Sequence, residues 1–451
     1  MKRRFLIFLL FAVLIAGQSE SAEQPIPELW TAPKAVEFVL LNNPDSLIAS
    51  QRMLEAEALL TKSSASFYPQ LSLSGSYSQT NNPMQSFGNI LTQGVFTPGI
   101  DFNDPGRTDN LNLSIGAQYR FYNGGQDKAL RAAAAAGVDF SAAQQESLLL
   151  QLGFEAFRSF QRIVEAETVD QAQQIALDAI RSALDVARAR YAAGDLLKID
   201  LLNLEVQESR ILESQIQAAH NLELSKQIFL TLLGLSAGEV KLQTAPQLSS
   251  VPPVNHSIAQ RPELQRMQAA LRAAEAELSG ARGGRLPTVD GFATYQFDHG
   301  TVLDGTGDSW MAGLKVDFKL FDGHRAAADI FQAEARRGRL RAELHKLELA
   351  LNLELKQAEL ALSQAQQRKL VTAKMVEQAL KSEQLSRARF GEGVILASDL
   401  IDVESRLTEA RVRLAVATSA ELIAIADLRR AAGLPQFEAL SRPNSLVENQ
   451  Q

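Results

Sequence analysis

Strict alternation of apolar and polar positions occurs in four places along the chain, and the other long segments carry the period of a helix. Leu71, Leu73 and Tyr77 oppose Ser72, Ser74, Ser76 and Ser78, and Leu111, Leu113, Ile115 and Tyr119 oppose Asn112, Ser114, Gln118 and Arg120. The pattern returns as Val289, Ala293, Tyr295 and Phe297, then as Trp310, Ala312, Leu314, Val316, Phe318 and Leu320 against Lys315, Asp317 and Lys319. A period of two predicts strands with one apolar face, at about 69–80, 109–122, 287–298 and 309–321. Between them run tracts rich in Ala, Leu, Gln and Glu. The tract from Gln126 to Arg190 would measure about 100 Å as one helix at about 1.5 Å per residue. Leu400, Val403, Leu407, Ala410, Leu414 and Ala417 follow the 3-4 spacing of a coiled-coil seam. Asp178 with Arg181 and Asp185 with Arg188 are spaced to pair across one helical turn. Gly137 and Gly153 weaken the long tract locally and leave a bend open.

These elements occur twice. NPDSL at Asn43–Leu47 matches RPELQ at Arg261–Gln265, and Pro69 matches Pro287, at an offset of 218. Gly124 matches Gly323, Gly194 matches Gly393 and Gly234 matches Gly433 at an offset of 199. The first copy therefore carries 19 extra residues in the loop between its two strands. Each copy reads as helix, strand, strand, long helix, helix, which gives an α+β fold of two structural repeats. The repeats are expected at 23–234 and 258–433, with a linker at 235–257 and a tail at 434–451. The turns between long and return helices, RYAAGDLLKID and RFGEGVILASD, form tips at about 190–200 and 389–399. The return helix is about half as long as the outward one, so each opening helix can stack end to end on a return helix beside it.

The apolar strand faces need covering, and their surroundings suggest how. Residues 1–22 read as a secretory signal peptide, with Lys2, Arg3 and Arg4 before an apolar run and small residues after it. No later stretch has the roughly 20 consecutive apolar residues of a transmembrane helix. Strands of this length fit a transmembrane barrel, whereas a soluble antiparallel sheet with one wet face remains the alternative. Four strands are too few to close a barrel, since about eight is the minimum. A barrel would need several chains. The absence of cysteine excludes a disulfide framework and a lipidated N-terminus. The formal charge of −7 is mixed along the helices and offers no basic face for nucleic acid. Phosphate loops, dinucleotide fingerprints and nucleophile elbows are absent, and the Gly280–Gly284 cluster, lying before a strand, reads as a turn. The five histidines have no ligand spacing, so no metal, cofactor or enzymatic activity is expected.

The paired helix starts, the FYNGG and LFDGH turns after the second strands, and the paired tips resemble the TolC-like outer-membrane channel family of Gram-negative bacteria, over nearly the whole chain after residue 22. The resemblance implies a homotrimer with a twelve-stranded barrel in outer-membrane lipid, continuous with a long periplasmic α-helical barrel. It implies the exit duct of a tripartite efflux pump or type I secretion system. The tips would close the duct and meet a periplasmic membrane-fusion adaptor and an inner-membrane transporter of RND, ABC or MFS type. By position, Asp399 and Asp402 would form the constriction. Ile395 stands where some relatives carry a tip arginine.

Asp200 and Asp399 begin helices, where an aspartate serves as a cap or first-turn charge, so Asp200 reads first as structural and only then as part of the gate. Asp402 lies one turn on from Asp399 with less capping use. Gly194 and Gly393 read as helix terminators, and with Asp195, Leu196, Val394 and Ile395 they form the candidate adaptor-docking tips. The alternative function is a non-channel periplasmic coiled-coil scaffold or adaptor, with the hairpins as a small soluble sheet.

Overall fold

The computed structural model describes residues 26–243 and 258–437, so the expected signal peptide, most of the linker and most of the tail lie outside the described residues. The first copy consists of α1 (Ala32–Asn42), α2 (Pro44–Ser64), β1 (Gln70–Thr80), α3 (Pro83–Thr92), β2 (Thr108–Tyr122), α4 (Gln126–Ala193) and α5 (Lys198–Leu232). The second consists of α6 (Pro262–Gly283), β3 (Thr288–Gly300), β4 (Gly305–Asp317), α7 (Arg325–Gly391) and α8 (Ala397–Ala431). The fold is α+β, two repeats of helix, strand, strand, long helix and helix.

Two helices were not expected from the sequence. α1 precedes the repeat and packs against α4 at Gly153, where a Cβ would lie 3.6 Å from Val36 Cγ1. α3 occupies the extra loop of the first copy. Its start has the same Asn-Pro signature as α2: the Asn82 side chain accepts from the amides of Met84 and Gln85, and Pro83 needs no amide partner. β4 also differs, running Gly305–Asp317 and not 309–321. Its register begins at Gly300↔Gly305 across a short turn, so Phe318 and Leu320 fall past the strand, on the way to α7.

The four strands form one antiparallel sheet in the order β1-β2-β3-β4. Register puts Leu113 opposite Phe297, and Ile115 in line with Tyr295 and Trp310, on one face. The other face carries Ser74 opposite Ser114 and Asn112 opposite Asp298. Asp298 is buried there, accepting from Asn110 Nδ2 at 2.6 Å and Asn112 Nδ2 at 2.9 Å. Among the described residues nothing covers the apolar face, with Leu314 70% exposed. Among them β1 and β4 each have one neighbour, so both edges of the sheet are open.

α4 is continuous over 68 residues, about 100 Å at about 1.5 Å per residue, with no break at Gly137 or Gly153. The stacking of short helices is built by side chains at the two equivalent junctions. Asn43, the cap of α2, donates through Nδ2 to Leu232 O at the end of α5, 2.8 Å away. Arg261, at the start of α6, donates to Arg430 O at 3.2 Å and Ala431 O at 2.7 Å at the end of α8. Both satisfy carbonyls that a helix C-terminus leaves without partners. Beside the first junction lies an apolar core of Trp30, Phe38, Phe157, Phe160, Phe229 and neighbouring aliphatic side chains.

Two expectations need correction. Arg181 does not pair with Asp178 but reaches across to Glu208 of α5 at 3.0 Å, while Asp178 accepts from Gln174, because the neighbouring helix offers a carboxylate in reach. Only the last glycine of the Gly280–Gly284 cluster, Gly284, lies in a turn. Gly280 and Gly283 belong to the last turns of α6, where a Cβ on Gly280 would meet Ala129 Cβ at 3.2 Å, and one on Gly283 would overlap the carbonyl of Gly124. These glycines let α6 touch the β2–α4 turn backbone to backbone. No described helix is long and apolar enough to cross a membrane.

Candidate functional site

At the far end of α4 and α7 the two tips fold alike. Gly194 (φ 87) and Gly393 (φ 80) take the left-handed conformation that terminates the helix. Gly194 N and Asp195 N return to Tyr191 O and Arg190 O at 3.0 and 2.8 Å, and Gly393 N and Val394 N return to Phe390 O and Arg389 O at 3.0 and 2.9 Å. This double return is the pairing of a Schellman stop. Beneath it, Leu184, Ala187, Leu204, Phe390, Ala397 and Leu400 form a buried tip core.

The six docking candidates divide by side chain. Gly194, Asp195, Gly393 and Val394 are exposed, whereas Leu196 and Ile395 turn inward and pack on the tip core. Leu197 and Leu396 are presented outward instead. They hold the extended N-cap positions of α5 and α8, and extended backbone alternates side-chain direction.

Asp399 is exposed in the first turn of α8 and accepts from Leu396 N at 3.4 Å, a long capping bond. Asp402 shares its face and is exposed, but it has a partner, an ion pair with Arg406 one turn further on. The sequence alone had given Asp402 less capping use than Asp399 and no ion-pair partner. Asp200 is half-buried in the first turn of α5, which meets α8 through a 3.2 Å hydrogen bond from Gln207 Nε2 to Ser405 Oγ.

One tip residue gained a role only in the structure. Arg190 donates through Nη1 to Phe390 O at 2.8 Å and through Nη2 to Asp195 O at 3.3 Å, and its guanidinium lies 5.5 Å from the Phe390 ring centroid. It fastens the first tip to the second. Its repeat equivalent, Arg389, is exposed. The duplicated arginine was visible in the sequence; which copy bridges depends on the packing.

Behind the tip, Arg387 sits between Glu383 at 2.6 Å and Glu404, both nearly buried. Burial, reinforced by the neighbouring Glu383, pushes the Glu404 carboxyl up against the opposing pull of Arg387. A carboxyl raised in the fold costs stability when ionised, and that cost is relieved as pH falls through its folded value towards the ordinary glutamate value of about 4.3. Amide protection factors in the first turns of α8, taken against the intrinsic exchange rate at each pH, are therefore expected to rise on acidification from neutral pH. Glu404→Gln should flatten that dependence; an unchanged pH profile in the variant would show that Glu404 does not set it. Among the described residues no cluster of His, Asp or Glu could hold a metal ion.

The arrangement is a sheet with one apolar and one polar face, joined to a helical rod about 100 Å long at about 1.5 Å per residue, whose hairpin tips carry exposed carboxylates. The family model described as "Outer membrane efflux protein" matches residues 36–236 and 254–434. The curated "Cation efflux system protein CusC" of Escherichia coli strain K12 is 25% identical over 393 residues, 82% of this chain and 79% of the relative. A solved CusC structure superposes with a TM-score of 0.79 at 18% identity, covering 92% of this chain and 96% of that one. The Campylobacter jejuni CmeC outer membrane channel gives 0.78 at 15%, covering 93% and 91%. With the family match running through both repeats, the chain belongs to the outer membrane efflux protein family and is an outer-membrane efflux channel with a long periplasmic helical part.

Proposed function

We propose that three copies of the chain assemble into a twelve-stranded barrel continuous with a periplasmic helical tunnel, forming a passive exit duct. The observation that carries this reading is the four-stranded sheet, open at both edges and bare on its apolar face. Joining β4 of one copy to β1 of the next satisfies both edges and places the apolar faces outward in lipid. The polar face with Asp298 then lines water. A periplasmic adaptor and an inner-membrane transporter of RND, ABC or MFS type would complete the pump at the tips, with Gly194, Asp195, Gly393 and Val394 as the exposed docking surface and Leu196 and Ile395 supporting it from the tip core. Secretion by a type I system would use the same duct.

In the trimer Asp399 and Asp402, with Asp200 behind them, would form a ring of carboxylates favouring cations. The ion pair with Arg406 moderates Asp402, since an exposed pair is weak yet still offsets charge. Asp399 therefore contributes the larger share. In planar bilayers the Asp399→Ala/Asp402→Ala variant should lose several-fold of its cation-over-anion preference, and Asp399→Ala alone should lose more than Asp402→Ala alone. Unchanged selectivity would reject the gate. Recovery of the unboiled wild-type protein as a soluble periplasmic monomer would reject the duct and favour a scaffold.

A further inference from the structure

The extra loop of the first copy is not spread over the rim of the sheet. Gln93, buried at the end of α3, donates through Nε2 to Asp109 O at 2.6 Å and to Asn110 Oδ1 at 3.2 Å. A Cβ on Gly300 would overlap Gln93 Oε1, one on Gly305 would lie 2.6 Å from Val95 Cγ1, and one on Gly307 would overlap Thr92 O. Register places Gly300, Gly305 and Gly307 on the same face as Asp298 and Asn110, the polar face. Three glycines on one face thus form a cradle in which residues 92–95 lie directly on the sheet.

α3 has two unlike sides. Ser86, Ile90 and Gln93 are buried towards the strands, spaced as one helical face. Met84 and Leu91 occupy the opposite face, 85% and 51% exposed. Phe87 meets Phe102 at 4.7 Å and Phe96 at 6.0 Å between centroids, both edge to face, and Phe102 is 58% exposed. An apolar strip thus stands on the wall whose own residues are Ser, Asn, Asp and Gln. Its exposed side has no partner among the described residues.

We propose that this strip is an interaction surface for the α3 segments of the other two copies, so that three of them meet on the barrel axis as an apolar collar at the external mouth. The inference rests on the three-chain barrel proposed above. Its dimensions agree with the cradle. Twelve strands about 4.8 Å apart and tilted about 40° enclose a backbone radius of about 12 Å. Three helices packed 8–10 Å apart lie about 5–6 Å from a common axis. That leaves roughly 6–7 Å between helix and wall, less than the ~10 Å of ordinary layer packing, and only backbone contact over glycine allows such an approach. The free edge of β4, beside the cradle, is the edge that continues into the next copy. The duct would then carry two constrictions of opposite chemistry, carboxylate at the periplasmic tips and apolar at the exit.

The chain has no native cysteine, so single cysteines report cleanly. Met84→Cys, on an exposed side chain, is expected to join copies within the unboiled trimer on treatment with copper phenanthroline or a short bismaleimide. In whole cells, Ser114→Cys on the polar face should react at least tenfold faster with an external polyethylene-glycol maleimide once residues 83–104 are replaced by a short Gly-Ser linker. Trimers that conduct in bilayers yet neither crosslink at position 84 nor gain reactivity at position 114 would overturn the collar and leave the channel standing. A protein that is monomeric in detergent would overturn the collar together with the barrel beneath it.

Discussion

Replacing Arg261 with alanine is expected to lower the unfolding free energy by about 3–5 kcal/mol, the usual cost of stranding the partners of a buried charge. The Arg261 side chain is 3% exposed. It holds Glu263 at 2.8 Å and Glu354 at 3.1 Å while donating to two carbonyls at the end of α8. Arg430 shares Glu354 at 2.5 Å and reaches Asp427 at 2.6 Å, so one removal unbalances α6, α7 and α8 together. Burial opposes ionisation of Glu263, but Arg261 overcomes it and holds the carboxyl below its ordinary value. A thermal or denaturant scan of the detergent-solubilised protein reads the loss. Arg261→Lys should recover only part, since an ammonium lacks the planar fork that serves carboxylates and carbonyls at once. A loss below about 1 kcal/mol, typical of an exposed pair, would show that the hub is not the lock at this junction.

The second large effect is expected at Gly124. Its φ of +67 excludes most side chains, and a Cβ there would overlap the carbonyl of Gly283. A left-handed backbone costs a non-glycine residue roughly 1–2 kcal/mol before any clash is counted. The clash cannot be relieved by a rotamer change, because its partner is backbone. Gly124→Val should therefore sharply reduce the amount of protein recovered in the outer-membrane fraction. Gly125→Ala next to it, also left-handed but facing open space, should cost only the conformational share. Equal yields of the two variants, measured in membrane fractions on unboiled gels, would contradict the close contact between sheet and rod.

Much of this architecture is carried by local pattern. Leu71, Leu73 and Tyr77 against serines, the heptads past Leu400 and the glycines ending the long helices each reflect one residue's immediate neighbours, and repetition at a constant offset doubles the signal. α3 escaped because its ten residues lie among Gly, Pro and Asn, where Asn82-Pro83 was its only start signal. β4 was displaced because alternation continues through Phe318 and Leu320, while the register is set by the turn at Gly300 and Gly305. At the tip, Asp399 and Asp402 could be placed on one helix face from spacing alone. The pairing with Arg406 and the bridge made by Arg190 depend on side-chain direction and on contact between the two repeats. Such contacts join residues 200 positions apart, as Arg190 and Phe390 do, and no local pattern encodes them.

The open edges of β1 and β4 also bear on biogenesis. A lone protomer offers two rows of unpaired backbone donors and acceptors beside a bare apolar surface, the combination that templates aggregation. The helical rod has its own buried cores and interhelical ion pairs within one chain, whereas the sheet's two edges are unpaired among the described residues. If three copies close the barrel as proposed, maturation depends on encounter between copies, and its rate rises steeply with their local concentration. Under that assembly an unpaired strand edge stays open to aggregation, so the supply of finished ducts would be set by a race between trimerisation and loss.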